Sequence, residues 1–143
     1  MRIATLLAGK GETVATISGE ATVADAVAEL RTHGIGALVV SSDGRHIDGI
    51  ISERDIVRAL FDGHGSLLDE RVHSIMTSTV FTCSPDDDIE SLMSAMTERR
   101  IRHVPVVSAG VLRGIVSIGD VVKNRITELE RERRELVDYI NAR

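Results

Sequence analysis

Apolar residues along this chain switch between a helical and an extended spacing. Ile3, Leu6 and Leu7 predict a short N-terminal helix that stops near Gly9. Thr13 to Ile17 predicts a short strand. Thr22, with Asp25 three residues on, marks a helix start. Val23, Ala26, Val27 and Leu30 then fall at i, i+3, i+4 and i+7, which makes one apolar face. Gly34 and Gly36 end that helix. Ala37 to Val40 predicts a buried strand, Asp43-Gly44 a turn and Ile47 to Ile51 the next strand. Ser52 opens a second helix that runs to about Phe61.

The same order then recurs. Val80 to Cys83 predicts a strand and Asp88 a cap, and Ile89, Leu92, Met93 and Met96 predict an apolar helix face. His103 to Val107 and Leu112 to Val116 predict strands joined by a turn at Ala109-Gly110. Thr13, Val14, Thr16 and Ser18 reappear as Thr79, Val80, Thr82 and Ser84, about 66 positions on. The densest match sets Gly49-Ile-Ile-Ser-Glu-Arg-Asp55 against Gly114-Ile-Val-Ser-Ile-Gly-Asp120. Each unit reads β-α-β-β-α, a mixed α/β (α+β) class. Asp62 to Ser66 predicts the linker, and Arg71 to Met76 a short helix leading into the second copy. The final helix, from Ser117 to about Ala142, is longer than its counterpart. On it Val122, Ile126, Leu129, Leu136 and Ile140 form a seam interrupted by Arg133, and Glu130–Arg134 and Arg131–Glu135 are opposite-charge pairs.

This divides the chain into residues 1–66, 67–125 and a helical extension, 126–143. A unit of roughly 60 residues buries a marginal core alone. Two similar units covering each other's apolar faces predict one pseudo-symmetric body, with their sheets packed together.

Composition narrows the function. A net charge of −5 opposes broad nucleic-acid binding, and 2% aromatic residues leave few stacking platforms. Cys83 is the only cysteine, so no intramolecular disulfide forms, which fits a reducing compartment. The apolar stretch from Ile3 to Ala8 is too short for a secretory core or a membrane span, so cytoplasm is the expected location. His33, His46, His64, His73 and His103 share no metal-ligand spacing with one another or with Cys83. No Walker loop, nucleophile elbow or dinucleotide fingerprint occurs, and a non-enzymatic role is expected.

The doubled Gly-hydrophobic-hydrophobic-Ser-x-x-Asp signature resembles that of a tandem cystathionine-β-synthase (CBS) domain pair, or Bateman module. Ile75-Met76-Thr77 and Arg102-His-Val-Pro-Val106 resemble the family's segments at the corresponding places. The resemblance spans about residues 1–125. It implies a regulatory module that binds an adenine nucleotide between its halves and forms a homodimer acting through a regulated partner. AMP leads the expected ligands, with ATP, ADP, NAD(H) and S-adenosylmethionine as alternatives and no metal required. An interaction scaffold working through the long helix is the other reading.

Ser52-x-x-Asp55 and Ser117-x-x-Asp120 are open to two interpretations. Each can cap a helix, at about 1 kcal/mol per cap. Each can also offer a carboxylate to a ribose diol, with helix N–H groups facing a phosphate. The resemblance implies the second role. It also places adenine at Thr16, Ile17, Gly36, Ala37 and Leu38 in the first copy, and at Thr82, Cys83, Arg102, His103, Val104 and Pro105 in the second. The second cleft is preferred for the nucleoside, because the first departs from the family pattern at Ser18-Gly19 and Gly36-Ala37. Arg54, Arg58, Arg99, Arg100 and Arg102 are the available phosphate cations, with Arg54 and Arg102 favoured.

Overall fold

The computed structural model describes residues 1–11, 13–63 and 65–142; His64, in the predicted linker, lies outside them. In the first unit the order is α1 (Ile3–Lys10), β1 (Thr16–Ile17), α2 (Val23–His33), β2 (Ala37–Val40), β3 (Gly49–Ser52) and α3 (Glu53–Phe61). A single 3-10 turn at Leu67–Asp69 precedes α4 (Val72–Ile75). The second unit contains α5 (Ile89–Arg99), β4 (His103–Ser108), β5 (Val111–Ser117) and α6 (Ile118–Asn141). β1 runs parallel to β2, which pairs antiparallel with β3. β4 and β5 form an antiparallel pair with a bulge between Val106 and Val107. No helix among the described residues is long and apolar enough to cross a membrane.

Three sequence expectations need correction. The strand expected over Thr13–Ile17 is only its last two residues, and the helix expected to stop near Gly9 continues to Lys10, with Gly11 as its cap at φ 99°. The strand expected over Val80–Cys83 reduces to one parallel bridge, Cys83 to Val106. Pro105 explains the last difference. The first unit adds a second ladder step, Thr16 opposite Val39. Its counterpart would need an N–H at residue 105, and proline has none.

The helix starts follow the sequence closely. Thr22, Ser52 and Ser117 each accept the amide of the aspartate three residues on, and each aspartate accepts in return. Asp88 occupies the cap position of α5 without capping it; its carboxylate stands 3.9 Å from the N-terminal ammonium.

The cores show how the units interlock. Ile3 and Leu7 of α1 are buried with Cys83, Leu92, Met96, Val104, Val106 and Val116 of the second unit. Val72 of α4 is buried with Ile17, Leu30, Leu38, Val40 and Ile51 of the first. The backbone repeats the exchange: Ile3 N–H donates to Asp87 O at 2.9 Å, as Val72 N–H donates to Ala21 O at 2.8 Å. The segments before each unit are thus equivalent and packed crosswise, α1 on the second unit and α4 on the first. Gly114 and Gly49 receive them. A Cβ at Gly114 would lie 2.7 Å from Leu7 Cδ2, and one at Gly49 would lie 2.6 Å from Met76 Sδ.

The first turn and a half of α6 packs inward through the buried Val121. The seam beyond it stays in solvent: Val122, Ile126, Leu129, Leu136 and Ile140 are 47–65% exposed.

Candidate functional site

Asp55 and Asp120 stand at equivalent strand-to-helix junctions, and both cap. Ser52 N–H donates to Asp55 Oδ2 at 2.8 Å, and Ser117 N–H donates to Asp120 Oδ2 at 2.8 Å. Beyond the cap they differ. Asp55 is served by neutral hydroxyls: Ser52 Oγ donates to Oδ2 at 3.1 Å and Thr77 Oγ1 to Oδ1 at 3.0 Å. Thr77 is held there by reciprocal 2.9 Å backbone hydrogen bonds with Ile50. Asp120 is served by a cation. Lys10, from the last turn of α1, donates to Asp120 Oδ2 at 2.5 Å and to the Ile115 carbonyl at 2.6 Å. Partial burial pushes the Asp120 carboxyl up. The Lys10 hydrogen bond, the Ser117 N–H and the Lys10 charge together outweigh burial and hold it below the ordinary range.

A cleft of about 320 Å³ opens at Asp55 between the units. Gly36, Ala37, Ile50 and Thr77 line one side, and Ser52, Glu53, Arg54, Asp55 and Arg58 surround the start of α3. The second unit closes it with Arg99, Arg100, Ile101, Arg102 and His103. Five arginines therefore border one cleft in a chain of net charge −5. Two are held in place: Arg54 Nη1 donates to the Arg100 carbonyl at 3.2 Å, and Arg99 lies over the Phe81 ring at 4.3 Å. Arg100 ends α5 in the left-handed region at φ 54°, which turns the chain into β4.

His103 reaches the cleft past Gly36, where a Cβ would sit 3.1 Å from its Cε1. Burial holds its imidazole below the ordinary histidine range. Glu53 and Asp120 oppose that shift, while Lys10 and Arg102 reinforce it.

Of the residues predicted from sequence, Gly36, Ala37, Ser52, Arg54, Asp55, Arg58, Arg102 and His103 line this cleft. The others lie elsewhere. Thr16 is half-buried on β1 and Ile17 lies in the first unit's core, with Leu38. Thr82 lines a separate hollow of about 350 Å³ with Val80 and Val107. Cys83 and Val104 lie in the second core, and buried Pro105 accepts the Cys83 N–H at 3.0 Å. Burial, then Asp87, pushes the Cys83 thiol up to about 12, which leaves it unreactive at neutral pH. Ser117 and Asp120 stand beside Lys10, outside the arginine-lined cleft. Among the described residues no cluster of His, Cys, Asp and Glu could hold a metal ion.

Thr77 and Glu53 are cleft residues that sequence reasoning did not select. Thr77 was visible only as part of the lead-in segment Ile75-Met76-Thr77, which folds back across the first unit.

The CBS domain family model matches residues 12–62 and again residues 72–126. The mitochondrial CBS domain-containing protein CBSX3 of Arabidopsis thaliana is 39% identical over 125 residues, 85% of this chain and 61% of that protein. The chain thus spans about three fifths of that relative. A crystal structure of a CBS-domain-containing protein from Agrobacterium tumefaciens is 40% identical, with a TM-score of 0.83 over 87% of this chain and 99% of the other. The structure of a CBS domain protein from Pyrobaculum aerophilum complexed with AMP is 29% identical, with a TM-score of 0.74 over 84% of this chain and 89% of the other. Two family matches that together span most of the chain, on a fold shared with these structures, mean that it belongs to the CBS domain family as a tandem pair.

Proposed function

We propose that this CBS pair is a regulatory sensor that binds an adenosyl ligand, AMP first among them, in the Asp55 cleft. The observation that carries this is the meeting of an ionisable acceptor and five arginines in one hollow between the units. Asp55 Oδ1 accepts only the Thr77 hydroxyl among the described residues, and that hydroxyl can rotate away. A ribose diol can then donate to the carboxylate. The start of α3 and the Arg54, Arg58 and Arg102 guanidinium groups would face the phosphate. Ile50, Ala37 and Ile101 supply an apolar wall for a base. The AMP complex of the Pyrobaculum relative supports the ligand class. This moves the nucleoside from the second cleft, which the sequence favoured, to the first.

The test is a thermal shift across AMP, ADP, ATP, NAD(H) and S-adenosylmethionine. Ligand at 100 times its dissociation constant stabilises the fold by about 2.7 kcal/mol. No shift with any of them at millimolar concentration would end the sensor reading.

Output would pass through a homodimer and a regulated partner. The support is apolar surface exposed on each of two helices. Val57, Leu60 and Phe61 of α3 are 61–89% exposed, and Val122, Ile126 and Leu129 of α6 are 47–51% exposed. A second copy is the occupant we assign to it. Ile126→Glu should convert a dimer in sedimentation to a monomer. A wild-type chain that sediments as a monomer would instead favour the scaffold reading, in which α6 serves a different protein.

A further inference from the structure

The repeat gives the chain two equivalent carboxylates at equivalent helix starts, yet their surroundings are not equivalent. The lead-in segments show where the difference arises. Val72 of α4 follows Ile3 of α1 by 69 positions, and the two make matching backbone contacts. By that register Thr77 corresponds to Ala8. Alanine has no hydroxyl to offer Asp120. The chain instead stays helical to Lys10, whose ammonium makes two contacts that Thr77 divides between backbone and side chain. Thr77 N–H donates to Ile50 O and Thr77 Oγ1 to Asp55. Lys10 Nζ donates to Ile115 O, the counterpart of Ile50, and to Asp120.

The substitution changes the chemistry. A hydroxyl that donates to a carboxylate leaves its charge available and can turn aside. An ammonium in contact neutralises the charge, and a charge-assisted hydrogen bond is roughly twice as strong as a neutral one. Lys10 is also anchored at both ends: its backbone belongs to a helix pinned by buried Ile3 and Leu7, and its tip is pinned by Ile115. A cation in the last turn of α1 is favoured further by the helix dipole. A ribose approaching Asp120 must compete with a tethered internal ion.

We propose that Lys10 is the selectivity residue of the pair: it occupies the Asp120 carboxylate, withholds it from the adenosyl ligand and restricts each chain to one site, at Asp55. This rests on the sensor reading above. Lys10→Met keeps the aliphatic length and removes the charge, so it should free the Asp120 carboxylate for a second ligand.

Isothermal titration of the full chain with AMP, and separately with ATP, distinguishes the outcomes. The wild type should bind one equivalent, lost in Asp55→Ala, and Lys10→Met should bind two. The added equivalent should disappear in the Lys10→Met/Asp120→Ala double variant, and Lys10→Arg should stay at one. Two equivalents in the wild type would overturn the role of Lys10 and leave the sensor reading intact. One equivalent in both wild type and Lys10→Met would overturn it as well. No binding in either would overturn the sensor reading and this inference together. Binding in Lys10→Met alone, removed by Asp120→Ala, would support the role of Lys10 while removing Asp55 as the site. Lys10→Gln repeats the experiment should the methionine variant fold poorly by circular dichroism.

Discussion

The two halves of this molecule share one plan and differ in what crosses over to complete them. Unit one receives a four-residue helix and then Thr77, a neutral donor fixed by backbone pairing. Unit two receives an eight-residue helix ending in Lys10, a charged donor on a long side chain. One half keeps a hollow beside its carboxylate, and the other has its carboxylate occupied. A repeat thus makes two candidate sites, and a change in the crossing segment is enough to separate their roles.

The largest expected effect tests the crossing itself. Ile3 is fully buried among residues of the second unit, and Ile3→Ala should cost about 2–5 kcal/mol in urea denaturation. The glycines sharpen the point. Alanine at either should destabilise by roughly 1–3 kcal/mol. Gly49→Ala should be the worse, because a new Cβ meets the Thr77 carbonyl at 2.8 Å as well as Met76, whereas Gly114→Ala meets only the Leu7 side chain. Backbone cannot rotate aside and a leucine can. Equal costs would mean that the two crossings are equally deformable.

Next comes the ligand comparison. Hydrogen bonds to a charged group are worth about 1.5–3 kcal/mol each, so Asp55→Ala should weaken AMP binding by at least tenfold. Asp120→Ala should leave it within about threefold, since that carboxylate lies outside the cleft. Each variant also loses the aspartate half of a capping box, a stability cost that a melting curve without ligand measures separately. The reverse ranking of affinities would return the nucleoside to the second unit.

Much of this plan was legible in sequence. The repeat, the helix faces and the serine–aspartate caps are local patterns that tertiary structure left intact, and the family assignment follows from their order. The cleft was half legible. Asp55, Arg54 and Arg102 carry motif or charge signals. Lys10 was not singled out and Thr77 only as part of the Ile75-Met76-Thr77 segment, because each acts on a carboxylate distant in sequence and their registers differ by the extra residues of α1. The strand expected at Val80–Cys83 failed for a different reason. Val80, Phe81 and Thr82 are residues that favour a strand, but the proline lies in the strand opposite, and a propensity read along one segment does not register a donor missing from its partner.

The pH dependence of stability should separate the units more gently. The Asp120 carboxyl is held below its ordinary value of 3.8, so the unfolded chain takes up the proton first as pH falls. Its contribution is complete above that value and is lost as pH drops through the lower folded value. Melting curves of wild type and Asp120→Asn should therefore differ most near neutrality and converge in acid. Lys10→Met should also flatten the acid limb. An unchanged acid limb in both variants would mean that the Lys10 contact contributes little in solution. His103 acts in the same direction at higher pH. Burial lowers its pKa from 6.5, so stability should decline as pH falls below about that value, and His103→Gln should remove the decline.

The smallest effect concerns the shortened strand. Pro105→Val restores the N–H that the second parallel step lacks, as in the Thr16–Val39 step of unit one. A net backbone hydrogen bond is worth about 0.5–1.5 kcal/mol. Removing a compatible proline forfeits about 0.4–1 kcal/mol, because the unfolded chain regains freedom. The two nearly cancel, so stability should change by less than about 1 kcal/mol while the new amide at 105 becomes protected from hydrogen exchange. A fast-exchanging amide there would mean that Phe81 and Thr82 are held off β4 by their own surroundings, and that the units differ at this edge for reasons beyond the proline.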